Sequence, residues 1–353
     1  MSYKSKDFLE MNYKLVKALN PDTPFHWIVV QNTPEPELGN DLAMDDSRFE
    51  IIKGPILTQQ EQECSFYRSI HHAKALNLAL AYTNAQLILI LDPDCFILMC
   101  NWISIVLEYM RKEGLVFFGA PYHPKYYTHY RGFPNAICMF INRCLMQEKN
   151  YFSLDFMPVF EGRRLWNKAL LDAVRHHSHP KQFLTFFSSA SRRFPLELRD
   201  FHLIVKKVLK TLLLNFFSFK IQYYLQNECK QLRVRECRDT GYKIYAQYRS
   251  LLRYQTLKIF AFDQRNLQTK LIESILPDRY RTFPRDATFI TKTVSPLFAE
   301  FIEHGEQFFW NHQLFGFHLK GVLDHLPKEA KEQWKEQVLR KIEGYISEGV
   351  RAL

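Results

Sequence analysis

The sequence QLILILDPD occupies residues 86–94, so that five aliphatic residues run directly into Asp92 and Asp94. A short apolar run of this kind predicts a buried strand of a parallel sheet. In open α/β sheets, ligands bind at the carboxyl ends of the strands, which is where the two aspartates fall. Buried carboxylates are costly without a positive partner, and a divalent cation held by one or two carboxylates keeps its other positions for water and phosphates. The stretch therefore predicts a metal–diphosphate site on a nucleotide-binding sheet.

Helical and strand-like segments alternate on both sides of this stretch. Apolar residues at helical spacing predict helices, and short apolar runs bounded by Gly, Pro or Asn predict strands. The predicted helices span residues 8–19, 65–83, 101–111, 242–252 and 327–346, and the predicted strands span 25–30, 49–52, 87–91, 115–118 and 136–141. This alternation predicts an α/β fold with a mostly parallel sheet flanked by helices.

Positive charge is concentrated in one part of the chain. The formal net charge is +10, and residues 163–235 hold 15 Lys and Arg against 4 Asp and Glu, so the rest of the chain is close to neutral. Within it, residues 201–224 carry apolar side chains along one helical face, opposite Lys206, Lys207 and Lys210. Such a helix packs on the rest of the chain, lies on an anionic membrane surface, or does both, because a helix packed on one side still presents its lysines on the other. No nucleic-acid-binding module accompanies the charge, so nucleic acid is not an expected partner.

The cysteines and the apolar runs bear on where the protein works. The seven cysteines include no Cys-x-x-Cys pair, and no stretch reaches about 18 uninterrupted apolar residues. Together with the lack of a signal peptide, these features predict a cytoplasmic protein without a membrane-spanning helix. If residues 201–224 meet lipid, the protein lies peripherally at the cytoplasmic face of a membrane.

A longer pattern surrounds the two aspartates. The string HAKALN, residues 72–77, lies on a predicted helix, and the predicted strand 87–91 follows this helix. Asp92-Pro93-Asp94 comes directly after the strand and completes the pattern. This pattern resembles the family 2 glycosyltransferases, nucleotide-sugar enzymes of the GT-A (Rossmann-like) fold, which show a helix with a basic residue and an Asn, one strand, and a DxD motif. The resemblance covers residues 5–145 and resumes at 238–242 and 316–321.

The resemblance implies four segments. Residues 1–160 form the nucleotide-sugar-binding GT-A core, and residues 161–235 form a basic, helix-rich insertion that faces the acceptor or a membrane. Residues 236–326 complete the catalytic core with the acceptor side, and residues 327–353 form a C-terminal amphipathic helix.

The resemblance also implies a metal centre. Asp94 is the direct ligand of Mn²⁺ or Mg²⁺ bridging the diphosphate, while Asp92 contacts the ribose, a metal-bound water or the metal. His318 completes the coordination, and Lys320 and Lys74 reach the diphosphate. On the residues alone, the alternatives are that either aspartate caps the helix that follows and that His318 is an ordinary core histidine.

Two further roles follow from the same resemblance. Asn77 joins Lys74 on the helix that contacts the donor, and Asn32, after the strand 25–30, contacts the base, with uridine favoured. Inverting transfer needs a carboxylate that takes the proton from the acceptor hydroxyl. Asp239, at the start of a predicted helix, and Asp155 are the two candidates for this base, and Asp239 is also suited to a plain helix cap.

The expected function is that of a metal-dependent, inverting, hexosyltransferase-type glycosyltransferase. It moves a sugar from a nucleotide diphosphate sugar to a glycan or lipid-linked acceptor, in cell-surface polysaccharide or glycoconjugate synthesis. One alternative is a haloacid-dehalogenase-like phosphatase, which also places DxD after a strand, although Phe96 stands where that family usually has Thr or Val. The other is a non-catalytic protein of the same fold that acts as a membrane or assembly partner. The oligomeric state stays open.

Overall fold

The structure of the chain is a computed structural model. It describes residues 6–32, 46–63, 67–123, 132–149, 154–160, 237–238, 240–261, 270, 283, 288–302, 305–319 and 327–349. The basic segment 163–235, with its predicted helix at 201–224, lies outside these residues, as do Asp239 and Lys320. The chain divides into two units, one of Met1–Pro158, Asp239–Phe262 and Asp286–Leu353 and the other of Val159–Arg238 and Asp263–Arg285. The finer division into four segments stays a prediction.

Helices lie between successive pairs of strands up to residue 148, so the strict alternation predicted from the apolar pattern is not observed. The first helix itself follows the apolar pattern, because Leu15, Val16 and Leu19 recur at helical spacing and are all buried. The elements are α1 (Lys6–Leu19), β1 (Trp27–Gln31), β2 (Phe49–Lys53), α2 (Gln59–Gln62), α3 (Tyr67–Tyr82), β3 (Leu87–Leu91), β4 (Cys95–Ile97), α4 (Trp102–Glu113), β5 (Phe117–Pro121), β6 (Pro134–Asn142) and α5 (Arg143–Glu148).

Strands follow one another more directly in the remainder of the described chain. The elements are β7 (Val159–Phe160), β8 (Cys237–Arg238), α6 (Tyr242–Tyr248), β9 (Tyr254–Thr256), β10 (Lys258–Phe260), β11 (Ile290–Thr291), a 3₁₀ helix (Pro296–Phe301), β12 (Gly305–Trp310), β13 (Gln313–Leu319) and α7 (Lys328–Gly349). Strands β12 and β13 form a hairpin. Its two turn residues, Asn311 and His312, both have positive φ, as a type I′ turn requires.

The described strands form two larger sheets and two pairs. The sheet orders are β3-β6-β5-β9 and β11-β10-β12-β13-β4, and the pairs are β1-β2 and β7-β8. The α/β class is confirmed, but the expectation of a mostly parallel sheet is wrong for these strands. Only β1-β2, β5-β9 and β10-β11 pair in parallel among them. The hairpin shows one reason, because the two-residue turn between β12 and β13 leaves no room for the crossover connection that a parallel pair needs.

An apolar core lies directly behind the two aspartates. Strand β4, which follows Asp94, is buried along its whole length, with Phe96 at 0% exposure. Its apolar cluster also contains Phe118 and Phe140 from the four-stranded sheet, and Phe317 from the hairpin. Burying an aromatic side chain of this size contributes about 1.5–3 kcal/mol to folding. The segment that carries the aspartates is therefore fixed by the packing of the strand that follows it.

The C-terminal helix α7 closes this core beside α1. Ile342 is fully buried, Lys335 Nζ lies 2.5 Å from Asp7 Oδ2, and the Tyr345 hydroxyl donates to the Leu98 carbonyl at 2.6 Å. Within the described ranges, no helix has both the length and the apolar character needed to cross a lipid bilayer.

Most predicted boundaries differ from the observed ones by a few residues, and two of the differences have a local reason. The strand expected from residue 115 begins at Phe117, because Gly114, with φ of 62°, ends α4 in the left-handed conformation and a connecting turn follows. The helix expected to extend to residue 252 ends at Tyr248, and a turn follows in which the Leu251 amide donates to the Tyr248 carbonyl at 3.0 Å.

Replacing a glycine by alanine is expected to have opposite effects on stability at Gly316 and at Gly344. A Cβ at Gly316, on β13, would lie 2.7 Å from the backbone oxygen of Phe96, whereas a Cβ at Gly344, on the exposed side of α7, meets nothing within 4 Å. We expect Gly316→Ala to lower the free energy of unfolding by about 1–3 kcal/mol, because two strands must move apart. We expect Gly344→Ala to raise it by about 0.5–1 kcal/mol, because a helical glycine has more conformational freedom to lose.

Denaturation by urea, followed by circular dichroism, measures both effects. Equal unfolding midpoints for Gly316→Ala and the unchanged protein would contradict the close packing of β4 on β13.

Candidate metal centre

The loop between β3 and β4 holds Asp92 and Asp94 and is itself held by hydrogen bonds. The Asp92 amide donates to the Ile137 carbonyl at 2.8 Å, and the Asn12 side-chain amide donates to the Pro93 carbonyl at 2.5 Å. A proline between the two aspartates also limits the backbone, because its ring fixes φ. The loop is therefore tied to β6 on one side and to α1 on the other.

Strand β13 brings a histidine to the same loop. His318 lies opposite Cys95 in the antiparallel pairing of β13 with β4, and the amide of the next residue, Leu319, donates to the Asp94 carbonyl at 2.9 Å. Because the backbone bond involves Asp94 itself, the register of two strands fixes where the imidazole lies relative to that carboxylate.

Asp92, Asp94 and His318 converge. Each offers one ligand atom, and these atoms all lie within 4.8 Å of one another, with His318 Nε2 3.5 Å from Asp94 Oδ1. Two carboxylates and one imidazole form a donor set that fits Mn²⁺, which accepts both oxygen and imidazole ligands, and fits Mg²⁺ less well, because Mg²⁺ prefers oxygen. The residues of the site therefore fit a divalent cation.

The charges around His318 favour its protonated form when no metal is bound. His318 is buried, and its Nδ1 lies 3.0 Å from Oε2 of the buried Glu306, on the side opposite Asp94. Burial lowers the pKa of His318, but Asp94 and Glu306 outweigh burial and raise it to about 10. When no metal is bound, an imidazolium between two carboxylates therefore holds Asp94, His318 and Glu306 together.

Asp92 is in a different environment from Asp94. Burial, and then the negative charge of Asp94, raise the pKa of Asp92, while His72 and His318 act in the opposite direction. His72 Nε2, on α3, lies 3.7 Å from Asp92 Oδ1. A cation at the site would offset the repulsion between the two carboxylates.

The alternative reading of the aspartates as helix caps is wrong. Helix α4 begins at Trp102, and its cap residue is Asn101, which makes no side-chain capping bond. Asp94 is followed directly by β4. The carboxylates are therefore available for another partner.

Lys74, expected at the diphosphate, is paired in the structure. Its Nζ lies 2.6 Å from Glu61 Oε1, and this pairing lowers the pKa of Glu61. Glu61 is fixed by a capping box with Thr58 at the start of α2. For Lys74 to contact a diphosphate, its ammonium group has to bind Glu61 and the diphosphate at the same time or give up its ion pair with Glu61.

Asn77, also expected at the donor, instead binds the segment after α5. Its amide nitrogen donates to Asp155 Oδ1 at 2.9 Å, and its oxygen accepts the Phe156 amide at 2.9 Å. Asp155 Oδ2 also lies 2.5 Å from Lys243 Nζ. Burial raises the pKa of Asp155, but Lys243, the Met157 amide and Asn77 outweigh burial and lower it. Asp155 is thus an oriented, ionised carboxylate of reduced basicity.

Asn32, expected at the base, is buried at the end of β1. Neither atom of its side-chain amide has a hydrogen-bond partner among the described residues. Gly54 lies so close that a Cβ there would be 2.1 Å from Asn32 Oδ1. A buried amide is costly without a hydrogen-bond partner, so Asn32 needs a partner beyond the described side chains and backbone.

The sequence did not point to two residues that the structure adds. Glu306 contacts His318 across the hairpin, and His72 contacts Asp92 from α3. An acidic residue a short hairpin away from a candidate ligand is the one signal for Glu306.

No protein-family model matches this chain, and no curated protein or solved structure is significantly similar to it.

The charge cluster predicts how stability depends on pH in the presence of a chelator. The pKa of His318 is about 10 in the folded protein, against an ordinary value of 6.5. A raised pKa gives stabilisation that is complete below the ordinary value and is lost as pH rises through the folded value. We therefore expect the stability difference between the unchanged protein and His318→Gln to be largest near pH 6.5 and to shrink towards pH 10.

Urea denaturation at several pH values measures this difference. His26→Gln is the matched control, because His26 is an exposed imidazole that lies 3.3 Å from Glu50 at the surface. A constant difference for His318→Gln over this range would contradict the ion pairs at the centre.

Proposed function

We propose that this protein is a metal-dependent, inverting glycosyltransferase that uses a nucleotide diphosphate sugar as donor. The observation that carries the proposal is the convergence of Asp92, Asp94 and His318 at the carboxyl end of β3. A cation held by few side chains keeps positions for phosphate oxygens, so this donor set suits a diphosphate although β3 pairs antiparallel with β6. The GT-A form of the α/β fold is part of the same proposal, since α3 with Lys74 and Asn77 precedes that strand.

Different residues bind the cation, the diphosphate and the base of the proposed donor. Asp94 and His318 hold the cation, and Asp92 holds the cation, one of its waters or the ribose. When bound, a divalent cation stabilises, as a Lewis acid, the negative charge that grows on the departing nucleoside diphosphate. Lys320 and Lys74 are the candidate cationic contacts of that diphosphate. The amide of Asn32, which has no partner among the described residues, is the candidate contact of the base, with uridine favoured.

The proton of the acceptor hydroxyl needs a carboxylate to receive it. Of the two candidates, Asp155 is held by Lys243 and Asn77, which lower its pKa and so weaken it as a base. The proposal therefore assigns the base to Asp239 and gives Asp155 the role of orienting the segment that it bonds.

The acceptor is proposed to be a glycan or a lipid-linked sugar, in surface polysaccharide or glycoconjugate synthesis. This part rests on the basic, aromatic-rich composition of residues 163–235, which suits an anionic membrane surface at the cytoplasmic face.

Loss of the Asp94 charge is expected to abolish donor turnover. With Mn²⁺ and a panel of nucleotide sugars, we expect slow release of the nucleoside diphosphate, led by UDP-sugars. In Asp94→Asn the rate is expected to fall about 100-fold or more, because Lewis-acid stabilisation is worth several kcal/mol. A thermal-shift screen of nucleoside diphosphates with Mn²⁺ identifies the base first, since a bound ligand stabilises the folded state.

Asp22→Asn, at an exposed position, is the matched control and keeps the full rate. An unchanged rate in Asp94→Asn would remove the metal role. Phosphate release from a simple phosphate ester, without nucleoside diphosphate release from nucleotide sugars, would favour the phosphatase. No turnover and no nucleotide binding would favour the non-catalytic partner.

The membrane part has its own test in vesicle flotation. We expect the protein to float with vesicles that contain anionic lipid and not with zwitterionic vesicles. Because each lysine near an anionic surface contributes about 1 kcal/mol, replacing Lys206, Lys207 and Lys210 by Gln weakens binding roughly 100-fold.

The matched control replaces three exposed lysines elsewhere, Lys53, Lys112 and Lys149, by Gln. Equal flotation of the two triple variants would contradict a membrane-facing role of residues 201–224.

A further inference from the structure

Glu306 is a buried carboxylate that faces the candidate metal ligand from behind. It lies on β12 directly opposite His318 on β13, with 5% of its surface exposed, and its Oε2 lies 3.0 Å from His318 Nδ1. Burying a carboxylate is costly unless a partner compensates for the lost hydration. Glu306 also lies beside a cluster that already holds Asp92 and Asp94, so a third negative charge adds to that cost.

The contact with Glu306 determines which nitrogen of His318 faces the site. A neutral imidazole carries its hydrogen on one nitrogen and a lone pair on the other. A carboxylate accepts hydrogen bonds only, so Glu306 requires the hydrogen on Nδ1. The lone pair is then on Nε2, the atom that lies 3.5 Å from Asp94 Oδ1. Glu306 thereby presents the nitrogen that a cation between His318 and Asp94 needs.

We propose that Glu306 is a positioning residue for the metal centre, which holds His318 with Nε2 towards the cation and strengthens that nitrogen as a ligand. The inference rests on the proposed function, because it requires the cation between Asp94 and His318. Carboxylates behind metal-bound histidines act in this way, and their loss costs about 10- to 100-fold in affinity. The effect falls on cations that accept an imidazole, so Glu306 favours Mn²⁺ over Mg²⁺.

The neighbouring residue on the same strand provides a contrast. Gln307 is buried at 1% exposure, and its side chain bonds the Phe298 carbonyl at 3.0 Å and the Ser295 amide at 2.8 Å. Its neighbours along a strand point to the opposite face of the sheet. Gln307 thus forms hydrogen bonds to backbone groups and carries no charge, as a structural residue does. Glu306 instead places a negative charge next to the buried imidazole of His318.

Direct Mn²⁺ titration without nucleotide tests the proposal. The free metal is followed by electron paramagnetic resonance for the unchanged protein, Glu306→Gln and Gln307→Met, and Mg²⁺ affinity is obtained by competition. We expect Glu306→Gln to bind Mn²⁺ about 10- to 100-fold more weakly and to show a smaller preference for Mn²⁺ over Mg²⁺. Gln307→Met is expected to lose stability and keep the Mn²⁺ dissociation constant.

A spectroscopic measurement separates positioning from loss of structure. In the Zn²⁺-loaded protein, long-range ¹H–¹⁵N correlation reports which imidazole nitrogen carries the hydrogen. We expect His318 to carry it on Nδ1 in the unchanged protein. In Glu306→Gln we expect a second population that carries the hydrogen on Nε2 and binds Zn²⁺ through Nδ1, because a neutral amide accepts the Nδ1 hydrogen less strongly than a carboxylate.

Each outcome bears on one of the two proposals. If the unchanged protein binds no Mn²⁺, the metal centre itself is overturned. If it binds Mn²⁺ and Glu306→Gln has the same affinity and the same preference over Mg²⁺, only the role of Glu306 is overturned. Should Glu306→Gln not fold, Glu306→Asp takes its place, because a side chain one methylene shorter keeps the charge and breaks the 3.0 Å contact. Full affinity of Glu306→Asp would likewise overturn the role.

Discussion

The antiparallel pairing of β4 with β13 is the constraint on which the rest of the site depends. It joins the loop after β3 to a hairpin from the far end of the chain, and the bond from the Leu319 amide to the Asp94 carbonyl lies at the point where the two meet. Since β4 and β13 are both buried, neither strand can shift without disturbing the aromatic core around Phe96 and Phe317. The relative position of the carboxylates and the imidazole is therefore a property of the core.

The electrostatics of the centre follow from this packing. Three carboxylates surround one buried imidazole, and strand pairing fixes the backbone that carries Asp94, Glu306 and His318. A proton on His318 supplies positive charge among them when no cation is bound, and the proposed divalent cation would supply it in place of that proton. Asp155 shows the opposite balance, because Lys243 already neutralises it. A lysine of the chain thus compensates the charge of Asp155, whereas Asp92 and Asp94 depend on a proton on His318 or on a cation.

Much of the centre could be predicted from the sequence. A run of aliphatic residues that ends in Asp92 and Asp94 is a local signal, and the family resemblance added His318. Glu306 could not be predicted, because its partner depends on a hairpin register that includes an irregularity between Phe308 and Phe309. The antiparallel pairing of β5 with β6 was missed for a similar reason. Strand order depends on how the connections run, whereas apolar periodicity reports only which residues are buried.

The distance along the chain between the two halves of the centre affects how the protein matures. The aspartates and His318 are more than two hundred residues apart, and β12 and β13 come late in the sequence. During synthesis the N-terminal part emerges first, and long-range strand pairing forms slowly. The carboxylate pair is therefore made long before its histidine, and a chain that ends before residue 305 lacks one ligand entirely. A cation site that needs all three side chains is therefore complete only after the C-terminal hairpin has been synthesised and paired.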